Sequence, residues 1–179
     1  MEGKGRITGH TGLLALIGSP VGHSGSPAMY NYSFEKLGLD YAYVAFDIKV
    51  EEVKAALDAM RLFHMRGCNV TMPCKTETAK YMDELSPAAR IIGAVNTIVN
   101  EDGKLIGHMT DGEGFVGNLR DHGIEIKGKK ITVAGGGGAA TAIQVQCALD
   151  GAREISIFNI KDDFFERTLE TAEKIRKEV

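Results

Sequence analysis

Lys130-Ile131-Thr132-Val133-Ala134-Gly135-Gly136-Gly137-Gly138-Ala139 is the stretch on which the architecture turns. Ile131 to Ala134 have high strand propensity, and the run of glycines ends the strand abruptly. Ala139 to Leu149 then read as a helix of small residues, and Ile155 to Phe158 as a second short strand. Strand, glycine turn, helix and strand make one βαβ unit, which requires a parallel sheet and places the chain in the α/β class.

A strand that ends in glycines and opens a helix presents bare backbone N–H groups and a positive helix end, with no side chain to block a phosphate. Gly135, Gly136, Gly137, Gly138 and Ala139 supply the glycine-x-glycine opening and the small residues of a dinucleotide-binding turn. Beyond the second strand stand Asn159, Ile160, Lys161, Asp162 and Asp163. An acidic residue here accepts hydrogen bonds from ribose hydroxyls, whereas an arginine pairs with the extra phosphate of the phosphorylated cofactor. Ile160 offers no bidentate contact and Asp162 repels a phosphate while suiting a free diol, which favours NAD. The Lys161 ammonium can meet a 2′-phosphate as a point charge, so NADP stays open. Asp162 also suits capping of the final charged helix, and the two roles are compatible.

The same alternation runs upstream. Leu13 to Gly18 predicts a buried strand. Ser26-Pro27 opens a helix, with serine at the cap, that runs to Leu37 and stops at Gly38. Tyr41 to Phe46 is the next strand, and Val53, Ala56, Leu57 and Met60 fall at helical spacing on a helix that begins near Glu51. Cys68 to Thr71 reads as a short strand, Thr76 to Tyr81 as a brief helix, and another helix follows Pro87. Thr97 to Asn100 and Leu105 to His108 form a hairpin turned at Asp102-Gly103, and Gly112 to His122 returns to helix. The composition changes at Lys127-Gly128-Lys129-Lys130, so the reading is of two domains, 1–110 and 111–179. The second comprises a linker helix and the first part of a Rossmann-type doubly wound domain. The chain stops inside a charged helix at Arg176-Lys177-Glu178-Val179, and two strands are about a third of a six-stranded dinucleotide fold, which reads as a shortened carboxy terminus.

With 21 basic and 24 acidic residues among 179, the net charge of −3 gives no electrostatic case for nucleic acid or a membrane surface. Cys68, Cys74 and Cys147 lack the short paired spacing of a metal site or a disulfide framework, so reduced thiols in a cytoplasm and no metal are expected. The only apolar run near the start, Leu13 to Ile17, is far short of the ~20 residues of a membrane helix.

Four separated stretches carry a resemblance. Gly18-Ser-Pro-Val-Gly-His23-Ser24-Gly-Ser26-Pro27 resembles the serine motif of the shikimate/quinate dehydrogenase family. Asn69-Val-Thr71-Met-Pro73-Cys-Lys75 resembles its lysine motif, Gly93-Ala-Val-Asn96-Thr97 its asparagine motif, and Thr110-Asp111-Gly112-Glu-Gly114 its aspartate motif. The tail Phe158-Asn-Ile-Lys-Asp-Asp-Phe164-Phe165 is similar to the quinate/shikimate branch, which uses NAD as well as NADP.

The resemblance implies reversible NAD(P)-dependent hydride transfer between 3-dehydroshikimate or 3-dehydroquinate and shikimate or quinate, in the route to aromatic amino acids. It assigns Lys75 as acid/base and Asp111 as its orienting and substrate-binding partner, the kind of pair that moves a hydroxyl proton as hydride leaves the same carbon. Asp111 before Gly112 also suits a helix N-cap. Ser24 and Ser26, two apart in an extended loop, can face one pocket and bind a carboxylate, while Thr71 and Asn96 match residues that hydrogen-bond ring hydroxyls. His23 and Cys74 are read as structural. Met109 and Tyr30 depart from the asparagine and histidine usual at those places, which puts the shape of the pocket wall in question. The expected protein is a monomer or homodimer acting on a small molecule. As given, it is expected to be weakly active or inactive, the rival reading being a shikimate-binding module without catalysis.

Overall fold

A computed structural model describes residues 7–179. It divides into two compact units, one of residues up to Glu84 with Val95–Gly107, the other of Leu85–Ala94 with His108–Val179. The short helix that follows Pro87 therefore belongs to the second unit although it lies within residues 1–110.

In the first unit β1 (Gly12–Gly18) lies between β2 (Tyr41–Asp47) and β3 (Gly67–Val70), parallel to both. β5 (Thr97–Glu101) pairs antiparallel with β3, and the six-stranded sheet has the order β2-β1-β3-β5-β6-β4, with β6 at Lys104–His108 and β4 at Glu84–Leu85. The sheet is mixed because β5 and β6 are joined by a tight turn. Asp102 and Gly103 both take positive φ, 52° and 96°, as a two-residue hairpin turn requires.

The two faces of β1 explain its continuous apolar run. Leu16 packs with Val21, Tyr43 and Phe34, the last from α1 (Ser26–Leu37). Leu13 and Ile17, of opposite parity, line a cavity of about 420 Å³ with Leu57 and Met60 of α2 (Val53–Leu62). A strand covered on both sides has no reason to alternate polar and apolar residues. α3 is only Lys75–Ala79, starting one residue earlier than the sequence suggests.

In the second unit α4 (Pro87–Ile92) is capped by Ser86, whose Oγ accepts the Ala89 N–H at 3.3 Å. β7 (Lys130–Ala134) and β8 (Glu154–Phe158) are parallel, joined through α6 (Gly138–Leu149), the βαβ unit the glycine run implies. α5 (Asp111–Asp121) packs against α6, and Val116, Ile126 and Cys147 form a core with Ile131 and Ile155. That packing is close: a Cβ on Gly112 would lie 2.3 Å from the Ala142 carbonyl oxygen. α7 (Phe165–Glu178) closes the described chain. Among the described residues no helix is long and apolar enough to cross a membrane.

Candidate functional site

The carboxyl ends of parallel strands are where open α/β sheets place ligands, because the loops leaving them are free to diverge. At that end of the first unit, three strands are tied together by backbone. Ser19 N–H donates to the Met72 carbonyl at 3.0 Å, Thr71 N–H to Ile17 at 2.9 Å, and Ile48 N–H to Gly18 at 3.0 Å. Gly18 has φ 149°, and a Cβ there would meet the Thr71 methyl at 2.5 Å and the Met72 carbonyl oxygen at 2.8 Å. Only glycine lets the serine loop pass this close to the loop after β3.

Five of the residues singled out from sequence come to this end of the sheet, each half-buried: Ser24, Ser26, Thr71, Lys75 and Asn96. Ser24 Oγ accepts the Ser26 N–H at 3.2 Å. The expected capping role of Ser26 is corrected here: Gly25 occupies the cap position without a side-chain bond, and Ser26 stands one residue inside the helix. Lys75 opens α3, and its carbonyl accepts the Val95 N–H at 3.0 Å, next to Asn96. The Asn96 carbonyl accepts the Val70 N–H at 2.8 Å, directly before Thr71. Backbone bonds thus join the stretches that carry Thr71, Lys75 and Asn96 at this end of the sheet, and the loop after β1 adds two serine hydroxyls; donors of these kinds suit a small polyhydroxylated anion.

The neighbouring thiols stay out of the chemistry. Burial pushes Cys68 up to about 12, and burial followed by Glu51 and Glu52 raises Cys74, so neither forms a thiolate at neutral pH. Tyr30, one of the two departures from the family pattern, stacks on Tyr43 with ring centroids 4.5 Å apart. Met109, the other, is buried in the second unit.

The remaining sequence-selected residues lie in the second unit. Asp111 is the first residue of α5 and exposed; Thr110, not Asp111, holds the cap position. In the glycine turn the four positions do different work. Gly135 takes φ 114°, and its N–H donates to the Phe158 carbonyl at 2.7 Å. Gly136 is a packing glycine, since a Cβ there would lie 2.0 Å from Thr168 Oγ1. Gly137 caps α6 without a side-chain bond, and at Gly137 and Gly138 an added Cβ meets nothing within 4 Å. The helix N-terminus, continued by exposed Ala139, therefore faces open space with bare backbone donors, and these residues fit a pyrophosphate.

At the end of β8, Asp162 Oδ1 accepts hydrogen bonds from Asn159 Nδ2 and from Phe164 N–H, both at 3.0 Å, while Ile160 and Lys161 are exposed. Asp162 therefore closes the turn before α7 and does not cap it: Phe164 holds the cap position, without a side-chain bond, and the helix begins at Phe165. Sequence reading missed Asn69, Thr97 and Tyr43, which form a hydrogen-bonded series around Asn96. Asn69 and Thr97 stand inside the quoted motifs, so the motifs themselves held the signal.

Residues 16–98 match the family described as shikimate dehydrogenase substrate binding domain. A shikimate dehydrogenase (NADP(+)) from Listeria monocytogenes serotype 4b is 56% identical over 170 residues, covering 95% of this chain and 58% of that relative. The chain therefore spans less than two thirds of the length of the relative it matches. A crystal structure of shikimate 5-dehydrogenase from Listeria monocytogenes, in complex with shikimate and NAD, superposes with a TM-score of 0.93 at 55% identity, covering 96% of this chain and 60% of that one. The ligand-free 5-ketofructose reductase of Gluconobacter sp. strain CHM43 superposes with a TM-score of 0.87 at 32% identity, covering 95% and 60%.

Proposed function

This chain belongs to the shikimate dehydrogenase family, and we propose that it serves reversible hydride transfer between shikimate or quinate and the corresponding 3-dehydro acid. The observation that carries the reading is the half-buried set Ser24, Ser26, Thr71, Lys75 and Asn96 at the carboxyl end of β1 and β3. Ser24 and Ser26 bind the carboxylate, and Thr71 and Asn96 hold ring hydroxyls. Lys75 takes the proton of the reacting hydroxyl and returns it in reverse, with Asp111 as its orienting partner, a role supported by the aspartate motif. A nicotinamide dinucleotide, when bound, accepts or supplies the hydride. Gly135, Gly136, Gly137, Gly138 and Ala139 would hold its pyrophosphate, and Asn159, Ile160, Lys161 and Asp162 would meet its adenosine ribose.

NAD is the proposed cofactor, with NADP also accepted. The absence of arginine at positions 159–163 supports NAD, as does the relative solved with it, while the Listeria relative named for NADP(+) supports the second. The proposed domains are 1–110 for substrate and 111–179 for the cofactor. The setting is cytoplasmic, consistent with three free, buried cysteines, and the assembly a monomer or homodimer.

The test is a calorimetric titration with shikimate and quinate, paired with the nicotinamide absorbance on mixing either acid with NAD or NADP. Binding with weak but measurable reduction of the dinucleotide supports the enzyme; neither acid binding overturns it. Binding without any absorbance change identifies instead a shikimate-binding module. A second reading follows from the likeness to 5-ketofructose reductase, a polyhydroxylated ketone reductase. That ketone has no carboxylate, so Ser24→Ala and Ser26→Ala weaken binding of the ring acid under the first reading and leave the sugar untouched under the second.

A further inference from the structure

Around Asn96 the hydrogen bonds run in one direction. Tyr43 Oη donates to Asn69 Oδ1 at 2.8 Å. Asn69 Nδ2 donates to Thr97 Oγ1 at 3.2 Å and approaches the Asn96 carbonyl at 3.5 Å. Thr97 Oγ1 then donates to Asn96 Oδ1 at 3.1 Å. A carboxamide has one acceptor end and one donor end, and a hydroxyl has one proton, so fixing the first link fixes all the others.

The first link is well anchored. Tyr43 is 3% exposed, its ring stacks on Tyr30, and its backbone is clamped at both ends by one side chain: its N–H donates to Asn31 Oδ1 and its carbonyl accepts from Asn31 Nδ2. Burial, then Cys68 and Tyr30, raises its pKa well above the ordinary phenol value, so the hydroxyl keeps its proton.

We infer that Tyr43, Asn69 and Thr97 are positioning residues that set which end of the Asn96 amide faces the substrate. Because Tyr43 donates, the Asn69 oxygen must face it and the Asn69 amide must donate onward. Thr97 therefore accepts from Asn69 and spends its proton on Asn96 Oδ1, which turns the Asn96 N–H₂ end away from Thr97. A ring hydroxyl held there meets a donor. Removal of the phenol hydroxyl frees the Asn69 amide to rotate by half a turn and accept the Thr97 proton. Asn96 Oδ1 then loses the Thr97 proton, and with it the contribution of this series to the amide's orientation. The inference rests on Asn96 being a substrate ligand.

The test uses Tyr43→Phe, Thr97→Val, Thr97→Ser and Asn96→Ala, titrated with shikimate and with analogues each lacking one ring hydroxyl. Tyr43→Phe keeps the stacked ring and Thr97→Ser keeps the hydroxyl. The expected result is a fall of roughly tenfold in shikimate affinity for Tyr43→Phe and for Thr97→Val, with no further loss when the two are combined, and recovery in Thr97→Ser. One deoxy analogue should bind the wild type and Tyr43→Phe equally, because it lacks the hydroxyl that the amide reads; a structural defect would weaken every analogue alike. If Asn96→Ala weakens shikimate but Tyr43→Phe and Thr97→Val do not, the positioning series is overturned while the ligand role of Asn96 stands. If Asn96→Ala changes nothing, both fall. A drop in all analogues together, or losses that add in the double variant, also overturns it.

Discussion

The two strand ends that carry the candidate chemistry are built by opposite means. At the end of β1 and β3 the working groups are side chains, half-buried and held by backbone ties between neighbouring strands. At the end of β7 the working surface is the main chain, and the side chains are missing by design of the sequence: Gly137 and Gly138 leave the start of α6 bare. A site of the first kind fails when an atom is removed and the fold survives. A site of the second kind fails when an atom is added, and the outcome depends on what that atom meets.

The largest effect tests the first kind. Lys75→Met is expected to lower turnover, followed by nicotinamide absorbance, by ~10²-fold or more, the usual contribution of a positioned acid/base group. Shikimate affinity should change far less, and the unfolding transition should not move, since Lys75 is only half-buried at the start of a five-residue helix. Equal losses in binding and turnover would mean that Lys75 holds the ligand and does not move its proton.

Two glycines of the second unit give the contrasting experiments. Gly112→Ala puts a methyl against the Ala142 carbonyl oxygen at 2.3 Å and the Gln146 Cβ at 2.7 Å, and backbone on α6 cannot step aside. Forcing α5 from α6 should cost ~1–3 kcal/mol, read by urea titration. Gly137→Val adds atoms into open space at an extended φ of −71°, so its melting temperature should hold. Yet the branched side chain stands where a pyrophosphate would approach, and NAD affinity should drop by about tenfold, near 1.4 kcal/mol. A Gly137→Val protein that binds NAD normally would break the idea that this turn holds the cofactor.

How far this contrast can be read without coordinates depends on the range of the interactions. Strand propensity at Ile131 to Ala134 and the glycines after it are local, and they delivered the βαβ unit almost to the residue. The two-residue strand Glu84–Leu85 is too short to show any period and went unseen. Ser26 was misplaced at the cap because Gly25, lacking a side chain, fills that position by conformation alone. The motif residues Ser24, Thr71, Lys75 and Asn96 were readable as types, but the tie from Tyr43 to Asn69 spans 26 positions and that from Asn69 to Thr97 spans 28. Pairings at that distance are fixed by strand register, which no local pattern contains. Gln144, fully buried in a helix of mostly small and apolar residues, was also not readable locally: the fold shows its Nε2 donating to the Gly135 carbonyl at 3.0 Å.

The smallest effects concern one carboxylate in each unit. Asp83 accepts the Leu105 N–H at 2.7 Å and pairs with Arg61, and the backbone bond first, then the arginine, holds its carboxyl below the usual range. Glu154 is held down by Lys130, its register partner across β7 and β8, at 2.7 Å. Both pKa values are depressed in the folded protein, so each pair stabilises fully above the ordinary carboxylate range, and that contribution is lost as pH falls through the lowered value. The two should nevertheless respond differently to salt. Glu154 is held by exposed cations, Lys130 first and Arg153 after it, which counter-ions screen, whereas the Asp83 bond to a backbone N–H is short-ranged and survives. Melting temperatures of Asp83→Asn and Glu154→Gln at neutral and acid pH, in low and high salt, check this. Asp83→Asn should lower stability at neutral pH in both salts. Glu154→Gln should do so slightly, at low salt alone, and neither variant should differ from the parent once the carboxylates are protonated. A Glu154→Gln effect that persists in high salt would show that the β7–β8 pair leans on this ion pair more than an exposed bridge allows.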